Sequence, residues 1–191
     1  IWICHSNTNT LERIPYSYIA TIAEKRDGLF VDASEVLDEY HIRNTPSCIT
    51  YYGGRIWVAS YTKMFHSKMY SYAYDAKNDA LIALAGYNIP CKVQGVAFDD
   101  DGSVYLSTSL GRNKSSFLRG YTSLIALNKN PDQPEVKVEM PPCSEEIAIA
   151  DSNIYVLFES ASPKYFEGTD GNGTSIAPID KILEVTVASI W

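Results

Sequence analysis

The chain has 191 residues, of which 46% are hydrophobic and 12% aromatic, and its formal net charge is −7. This length suits one domain of ordinary size, and the apolar share is enough to form a buried core. We expect no nucleic-acid partner, because phosphate binding needs clustered Lys and Arg and no basic run is present. We also expect no membrane span, because no apolar run approaches the ~20 residues that a spanning helix needs.

The chain begins at Ile1 rather than Met and shows no signal peptide, so we expect a processed or trimmed piece of a longer protein. None of its four cysteines forms a CxxC pair, and they predict buried free thiols rather than a zinc site. Asn-x-Ser/Thr tripeptides at Asn113 and Asn172 would accept glycans in a eukaryotic secretory pathway. We therefore expect an extracellular or secreted protein, and leave open whether these sites are glycosylated.

Four similar strand segments recur at intervals of about 50 residues. Each contains an apolar-aromatic-apolar triplet, and the later three follow a tight polar turn. The triplets are Ile1–Ile3, Ile56–Val58, Val104–Leu106 and Ile154–Val156. A β-rich repeat of this length is typical of a β-propeller blade. The sequence therefore predicts a single all-β propeller domain, or a fragment of one, with four-stranded antiparallel blades over about 1–45, 46–90, 91–142 and 143–191.

The first repeat is the least regular of the four. With the strands of a blade labelled a to d from the channel outward, Ile1–Cys4 is predicted as strand b, Tyr16–Ala23 as strand c and Gly28–Val31 as strand d. Ala33–Tyr40 has the composition of one or two helical turns. No segment of this repeat corresponds to strand a.

The later repeats contain clearer strands, separated by hairpin signals such as Gly53-Gly54. The predicted strands are Ile49–Tyr52 and Ile56–Ser60 (a and b), Lys68–Tyr74, Thr122–Leu127 and Lys181–Val187 (c), and Ala80–Ala85 and Glu135–Met140 (d). The fourth repeat lacks strand d, so the ring would be open at both ends. We expect an upstream segment or a separate chain to complete the ring, and a four-bladed ring closed by a short missing segment stays open as an alternative.

In such blades the b–c loops and the d–a connections lie on the same face. The predicted b–c loops are long, over residues 5–15, 61–67, 108–121 and 160–180, and long loops on a rigid scaffold commonly carry binding sites. Seven polar side chains on these loops and connections are the candidate ligand-binding residues: His5, His66, Gln94, Arg112, Glu159, Lys164 and Tyr165.

No familiar catalytic motif is present, so the catalytic residues are unknown, with Glu145, Glu146 and His5 as candidates. An extended segment would point Glu145 and Glu146 to opposite faces, and we favour Glu145 for the channel because Glu146 joins strand a. Glu159 ends an apolar strand, which predicts a partly desolvated carboxylate with a partner or a raised pKa. Simple pairing with a neighbour is the alternative for each carboxylate, and a surface position is the alternative for His5 and His66.

Gln94–Ser109, which reads QGVAFDDDGSVYLSTS, resembles the strand pair of the NHL, gluconolactonase and strictosidine-synthase-like propellers. In the lactonase branch, Glu, Asn and Asp at inner-strand ends hold a divalent cation, and Glu145 or Glu146 matches such a position. The matching Asn and Asp are absent, since Ser47-Cys48 and Lys92–Gln94 stand at the other strand entrances. No cofactor is therefore predicted, and a divalent cation at the channel mouth stays an alternative implied by the resemblance.

Two functions compete on these observations. The leading hypothesis is a propeller that binds a small molecule, a glycan or a protein on the face of the b–c loops. The alternative is a propeller hydrolase or lyase that acts on a small molecule or sugar through a channel-facing carboxylate. The sequence leaves enzymatic activity undecided.

Overall fold

The computed structural model describes residues 1–25, 34, 36–100, 102–111, 115–119, 136–169, 171, 173–174 and 178–187. These residues form an all-β fold, in which four antiparallel sheets follow one another along the chain. They also contain helix α1 (Tyr16–Lys25) and a short helix over Pro163–Phe166. None of the helices in these ranges is long and apolar enough to cross a membrane. The predictions that involve Gly28–Val31, Arg112, Asn113 and Asn172 lie outside the described residues.

The first sheet has the order β1-β2-β3. Its strands are β1 (Trp2–Cys4), β2 (Thr10–Arg13) and β3 (Asp38–His41). The assignment of Tyr16–Ala23 to a strand was wrong, because this segment lies in α1 and β2 pairs with β1 instead. The prediction of helical turns over Ala33–Tyr40 was also wrong at the C-terminal end of that segment, because Asp38 begins strand β3, which pairs with β2.

The second sheet contains all four predicted strands, in the order β4-β5-β6-β7. The strands are β4 (Cys48–Tyr52), β5 (Arg55–Ala59), β6 (Ser67–Asp75) and β7 (Ala80–Ile89). Gly53 and Gly54 join β4 to β5 with φ angles of 58° and 73°. Both angles are in the left-handed region that a two-residue primed hairpin turn requires, which confirms the predicted turn.

The third sheet also has four strands, β8 (Val93–Phe98), β9 (Val104–Thr108), β10 (Ser115–Arg119) and β11 (Val136–Met140), in the order β11-β10-β9-β8. Strand β10 takes the place that the sequence assigned to Thr122–Leu127, a segment outside the described residues. The strand also lies inside the loop predicted over residues 108–121, so the loop after β9 is shorter than expected. In the part of the chain that the structure describes, β10 is the strand that pairs with both β9 and β11.

The fourth sheet has the order β12-β13-β14 in the described residues. Its strands are β12 (Ser144–Ala150), β13 (Asn153–Phe158) and β14 (Leu183–Thr186). Asp151 and Ser152 form the β12–β13 turn with φ angles of 49° and 61°. A long connection, which holds the short helix Pro163–Phe166, joins β13 to β14.

The core of the molecule lies between successive sheets. Leu11, on β2, packs with Val58 and Tyr72 of the second sheet. A second cluster joins Trp57 and Met69 to side chains of β8 and β9, and a third joins the other side of the third sheet to β12 and β13. Each sheet is therefore covered by its neighbours, and strands β4, β8 and β12 lie side by side in series.

Arg13 forms a separate junction between the first and second sheets. Its guanidinium carbon lies 4.9–5.8 Å from the centres of three aromatic rings, those of Trp2, Tyr40 and Tyr74. The guanidinium also pairs with Asp38 at 2.7 Å and with Asp79 at 3.3 Å. Cation–π and ionic contacts thus hold β2 and β3 against β6 and the turn that follows it.

Candidate functional site

The starts of the adjacent strands β4, β8 and β12 meet at one end of the sheets. The Lys92 N–H donates to the carbonyl of Thr62 at 2.8 Å, and the Cys143 thiol donates to the carbonyl of Gly111 at 3.1 Å. These bonds join the connections before β8 and β12 to the loops after β5 and β9. We call this end the loop face, and its described residues are 5–9, 42–47, 60–66, 90–92, 109–111, 141–143, 159–169 and 178–182.

Equivalent positions of the third and fourth sheets contribute to the loop face. Lys92 and Cys143 share a left-handed backbone, with φ angles of 64° and 66°. Their carbonyls accept hydrogen bonds from the backbone N–H groups of Ser109 and Glu159, at 2.9 and 3.0 Å. Glu145 therefore stands where the third sheet has Gln94.

Strands β8 and β12 each contain a bulge close to this end. The register shifts between Val93 and Gly95 on β8, and between Ser144 and Ile147 on β12. A bulge interrupts the alternation of side chains and re-aims those beside it. The expectation that Glu145 and Glu146 point to opposite faces assumed an unbroken strand and was wrong, because both carboxyl groups reach β8.

Glu145 is part of a polar row that crosses the starts of three strands. The Ser47 hydroxyl donates to Gln94 Oε1 at 3.2 Å, and Gln94 Nε2 donates to Glu145 Oε1 at 3.2 Å. Glu145 in turn shares a hydrogen bond with Glu159. Beyond it, the Tyr165 hydroxyl donates to Glu159 Oε1 at 2.5 Å and Lys164 Nζ donates to Glu159 Oε2 at 3.0 Å.

The environment shifts the pKa values of the two carboxyl groups of this row in opposite directions. Burial raises the pKa of Glu145 to about 8, and the charge of Glu159 adds to the increase. Burial also opposes the ionisation of Glu159, but the hydrogen bonds from Tyr165, Lys164 and Glu145 keep its pKa below the usual range. The neutral form is therefore favoured at Glu145 and the ionised form at Glu159.

Glu146 lies between the backbones of β8 and β12. Its Oε1 accepts hydrogen bonds from the N–H groups of Val96, at 3.3 Å, and Ile147, at 3.0 Å. Burial raises its pKa to about 7, although these two bonds stabilise the ionised form. Because its carboxyl group accepts hydrogen bonds from backbone N–H groups of both strands, Glu146 stabilises the packing of β8 against β12.

A cavity of about 560 Å³ opens on the loop face beside this row. It shares Ser47 and Gln94 with the row, and most of its other lining residues have polar side chains, although their carbon atoms form about half of the lining surface. The lining residues are Ser6, Asn7, Arg43, Asn44, Thr45, Pro46, Ser47, Ser60, Tyr61, Thr62, Lys68, Tyr70 and Gln94.

Internal hydrogen bonds fix the cavity wall. The Thr45 hydroxyl donates to Asn9 Oδ1 at 2.6 Å, and the buried Asn44 accepts from the Tyr72 hydroxyl at 3.2 Å. The Ser60 hydroxyl accepts from the Lys68 N–H at 3.0 Å. These bonds within the chain hold the cavity wall in place, which lowers the ordering cost of binding.

The structure brings together four of the predicted ligand-binding residues: Gln94, Glu159, Lys164 and Tyr165. His5 contacts none of these four side chains in the described hydrogen bonds and ion pairs, and its Nε2 lies 2.8 Å from Glu12 Oε2. His66 is exposed on the loop after β5. The contribution of the connection over residues 43–47 was not predicted. Its Asn-Thr-Pro-Ser run, directly before a strand, is a recognisable signal for a loop.

The metal site implied by the resemblance does not fit these side chains. Within the described ranges, no three His, Cys, Asp or Glu residues are placed to hold a metal ion. Glu145 instead bonds with Gln94 and Glu159, and Ser47 and Gln94 are weak metal ligands. We therefore assign no step to a metal.

Neither a known protein family nor a curated protein matches this chain. Among solved structures, the chain is similar to one described as the crystal structure of a nidogen/laminin complex, with 14% sequence identity and a TM-score of 0.43. The match covers 82% of this chain and 50% of the other, so the chain spans about half the length of that protein. A similarity at this level does not identify a ligand or a partner.

Proposed function

We propose that the four sheets are successive blades of a β-propeller and that the loop face binds a polar small molecule or glycan in its cavity. The blade arrangement is supported by strands β4, β8 and β12, which lie side by side and begin at the same end. The cavity of about 560 Å³ carries the functional part of the proposal. Its volume lies within the range of small-molecule sites, roughly 300–1,000 Å³.

The lining chemistry favours a ligand with many hydroxyl groups. Most ligand pockets are lined mainly by apolar side chains. This one presents hydroxyl and amide groups from four segments of the chain, together with Tyr61 and Tyr70. Hydroxyl and amide side chains both donate and accept hydrogen bonds, as sugar hydroxyls do, and tyrosine rings offer an apolar surface to the sugar ring.

An oligosaccharide array followed by calorimetry tests this proposal. The variant Asn7→Trp places a large ring at the cavity wall, and we expect it to weaken binding at least about tenfold, or ~1.4 kcal/mol. Asn78→Trp is the matched control, because Asn78 is exposed on the turn between β6 and β7 at the opposite end of the second sheet. The proposal fails if no saccharide binds, or if Asn7→Trp binds as well as the unmodified chain.

A second candidate function, a hydrolase, is favoured by the Glu145–Glu159 pair. A protonated carboxyl group can donate a proton to a leaving oxygen while a carboxylate accepts one from the attacking water. Gln94 places this pair at the edge of the cavity. If the chain hydrolyses aryl esters, we expect Glu145→Gln to lower kcat roughly 10²–10⁴-fold while ligand binding persists. If the aryl substrate is hydrolysed no faster with the protein than in buffer alone, the hydrolase candidate is rejected.

A further inference from the structure

The cavity carries positive charge on a protein whose net charge is −7. Arg43 and Lys68 both line it, whereas none of the Asp and Glu residues that the structure describes does. Both side chains are exposed, so their charged groups are accessible to a ligand. In a chain with more acidic than basic residues, two cations at one polar cavity form a local field that attracts an anion.

The backbone anchors both cations to the cavity wall. The Arg43 N–H donates to the Tyr72 hydroxyl at 3.0 Å, which fixes the connection between β3 and β4. Lys68 lies near the start of β6, where its N–H donates to Ser60, and its ammonium donates to Asn88 Oδ1. An ammonium has three donor hydrogens and a guanidinium has five, so both groups keep donors for a ligand.

The carboxyl row at the other side of Gln94 opposes an anion only weakly. Lys164 lies 3.0 Å from Glu159 and partly balances its charge. Burial raises the pKa of Glu145, which favours the neutral form of that carboxyl group.

We propose that the cavity selects saccharides with an anionic group, which Arg43 and Lys68 bind while the hydroxyl groups face Ser47 and Gln94. This inference rests on the proposed binding function and names the ligand class of the same site. Carboxylate and sulfate groups both satisfy the chemistry, because both present oxygens to cationic N–H donors.

Matched disaccharides test the inference by calorimetry at low salt. The probes are cellobiose, cellobiouronic acid, which replaces one hydroxymethyl group by a carboxylate, and a cellobiose sulfated at that hydroxymethyl group. We expect the acidic probes to bind at least about fivefold more tightly than cellobiose, and ~0.15 M salt to reduce the difference. The stronger of the two acidic probes identifies the preferred anion.

Charge variants assign the effect to the two cations. We expect Arg43→Gln and Lys68→Gln each to weaken the acidic probe roughly three- to tenfold more than they weaken cellobiose. Lys63→Gln is the control, because Lys63 is exposed on the neighbouring loop and does not line the cavity. Equal affinities for the three probes, or an acidic preference that survives both variants, would overturn the inference and leave the binding function standing. Failure of all three probes, together with an array on which nothing binds, would contradict the binding function itself.

Discussion

Folding buries the carboxyl group of Glu145 beside a second carboxyl group, that of Glu159, and both effects favour the neutral form of Glu145. Its pKa rises from 4.5 to about 8, so between these values the unfolded chain releases a proton that the folded chain retains. Release of the proton favours the unfolded state, and the free energy of unfolding must therefore fall as the pH rises through this interval. Below about pH 4.5 the residue is neutral in both states and has no effect.

Replacing Glu145 by Gln removes this pH dependence. Gln has no proton to release and can still donate to Glu159, so we expect equal melting temperatures for the variant and the unmodified chain at pH 5. At pH 8.5 the variant should melt higher, by roughly 2–4 °C after allowance for the partial exposure of the site. Thermal unfolding at a series of pH values measures the difference.

Glu167→Gln is the control for this experiment, because Glu167 is exposed directly after the short helix. It should shift the melting temperature by the same small amount at every pH. A pH-independent difference between Glu145→Gln and the unmodified chain would show that Glu145 is not protonated at neutral pH.

Single residues of the site could be predicted where the sequence places a charged side chain at the end of an apolar strand. Glu159 stood out because it ends an apolar strand, and it does have the partners that a desolvated carboxylate needs. The pairing of Glu159 with Glu145 could not be predicted. It depends on the bulge in β12, and no local sequence pattern marks that bulge.

At the scale of elements, the close approach of β8 to β12 holds the row of polar groups together. A Cβ atom on Gly95 would lie 2.7 Å from the Glu145 carbonyl oxygen and 2.8 Å from the Ile147 nitrogen. Both contacts are with backbone atoms, which cannot rotate away as a side chain can. Glycine is therefore needed here to bring Gln94 within reach of Glu145.

Gly95→Ala should separate these two strands. We expect it to reduce the free energy of unfolding by about 1–3 kcal/mol, as overpacking does, and also to weaken ligand binding through the displacement of Gln94. Gly54→Ala is the matched control: a Cβ atom there meets open space, and only its φ angle of 73° is strained. That variant should cost about 1 kcal/mol and leave binding intact. Urea unfolding and calorimetry measure the two effects, and a Gly95→Ala chain with unchanged stability would contradict the close packing.

The elements that the sequence predicted well are those that local chemistry determines. Hairpins with Gly53-Gly54 or Asp151-Ser152 were recovered because the turn itself sets the pairing of the strands. The first sheet was not predicted correctly, although the sequence contains signals for α1. Pro15 is typical of the start of a helix, and the spacing of Ile19 from Ala23 is typical of the apolar stripe of a helix. Strand β3 ends a segment whose overall composition predicted helical turns. Pairing with β2 outweighs that local preference.

At the scale of the whole molecule, the first sheet has the least internal support. Its strands contain three or four residues each, whereas β6 and β7 contain nine and ten. Short strands leave few protected amides, so the junction at Arg13 and the packing of Leu11 have to hold the sheet in place. We expect this sheet to open more readily than the second and third, which are each covered on both sides.

Hydrogen exchange of Arg13→Gln tests this order of stability. The substitution removes the cation from among the three rings, and we expect the amides of β2 and β3 to exchange roughly fivefold faster, equivalent to about 1 kcal/mol. The amides of β8 and β9 should be unaffected, because their protection depends on packing between the second, third and fourth sheets. Arg55→Gln, an exposed arginine on β5, is the control and should change neither group. If Arg13→Gln instead accelerates exchange equally in all four sheets, the sheets open as one cooperative unit, and a ligand bound at the loop face would then protect the first sheet as strongly as the other three.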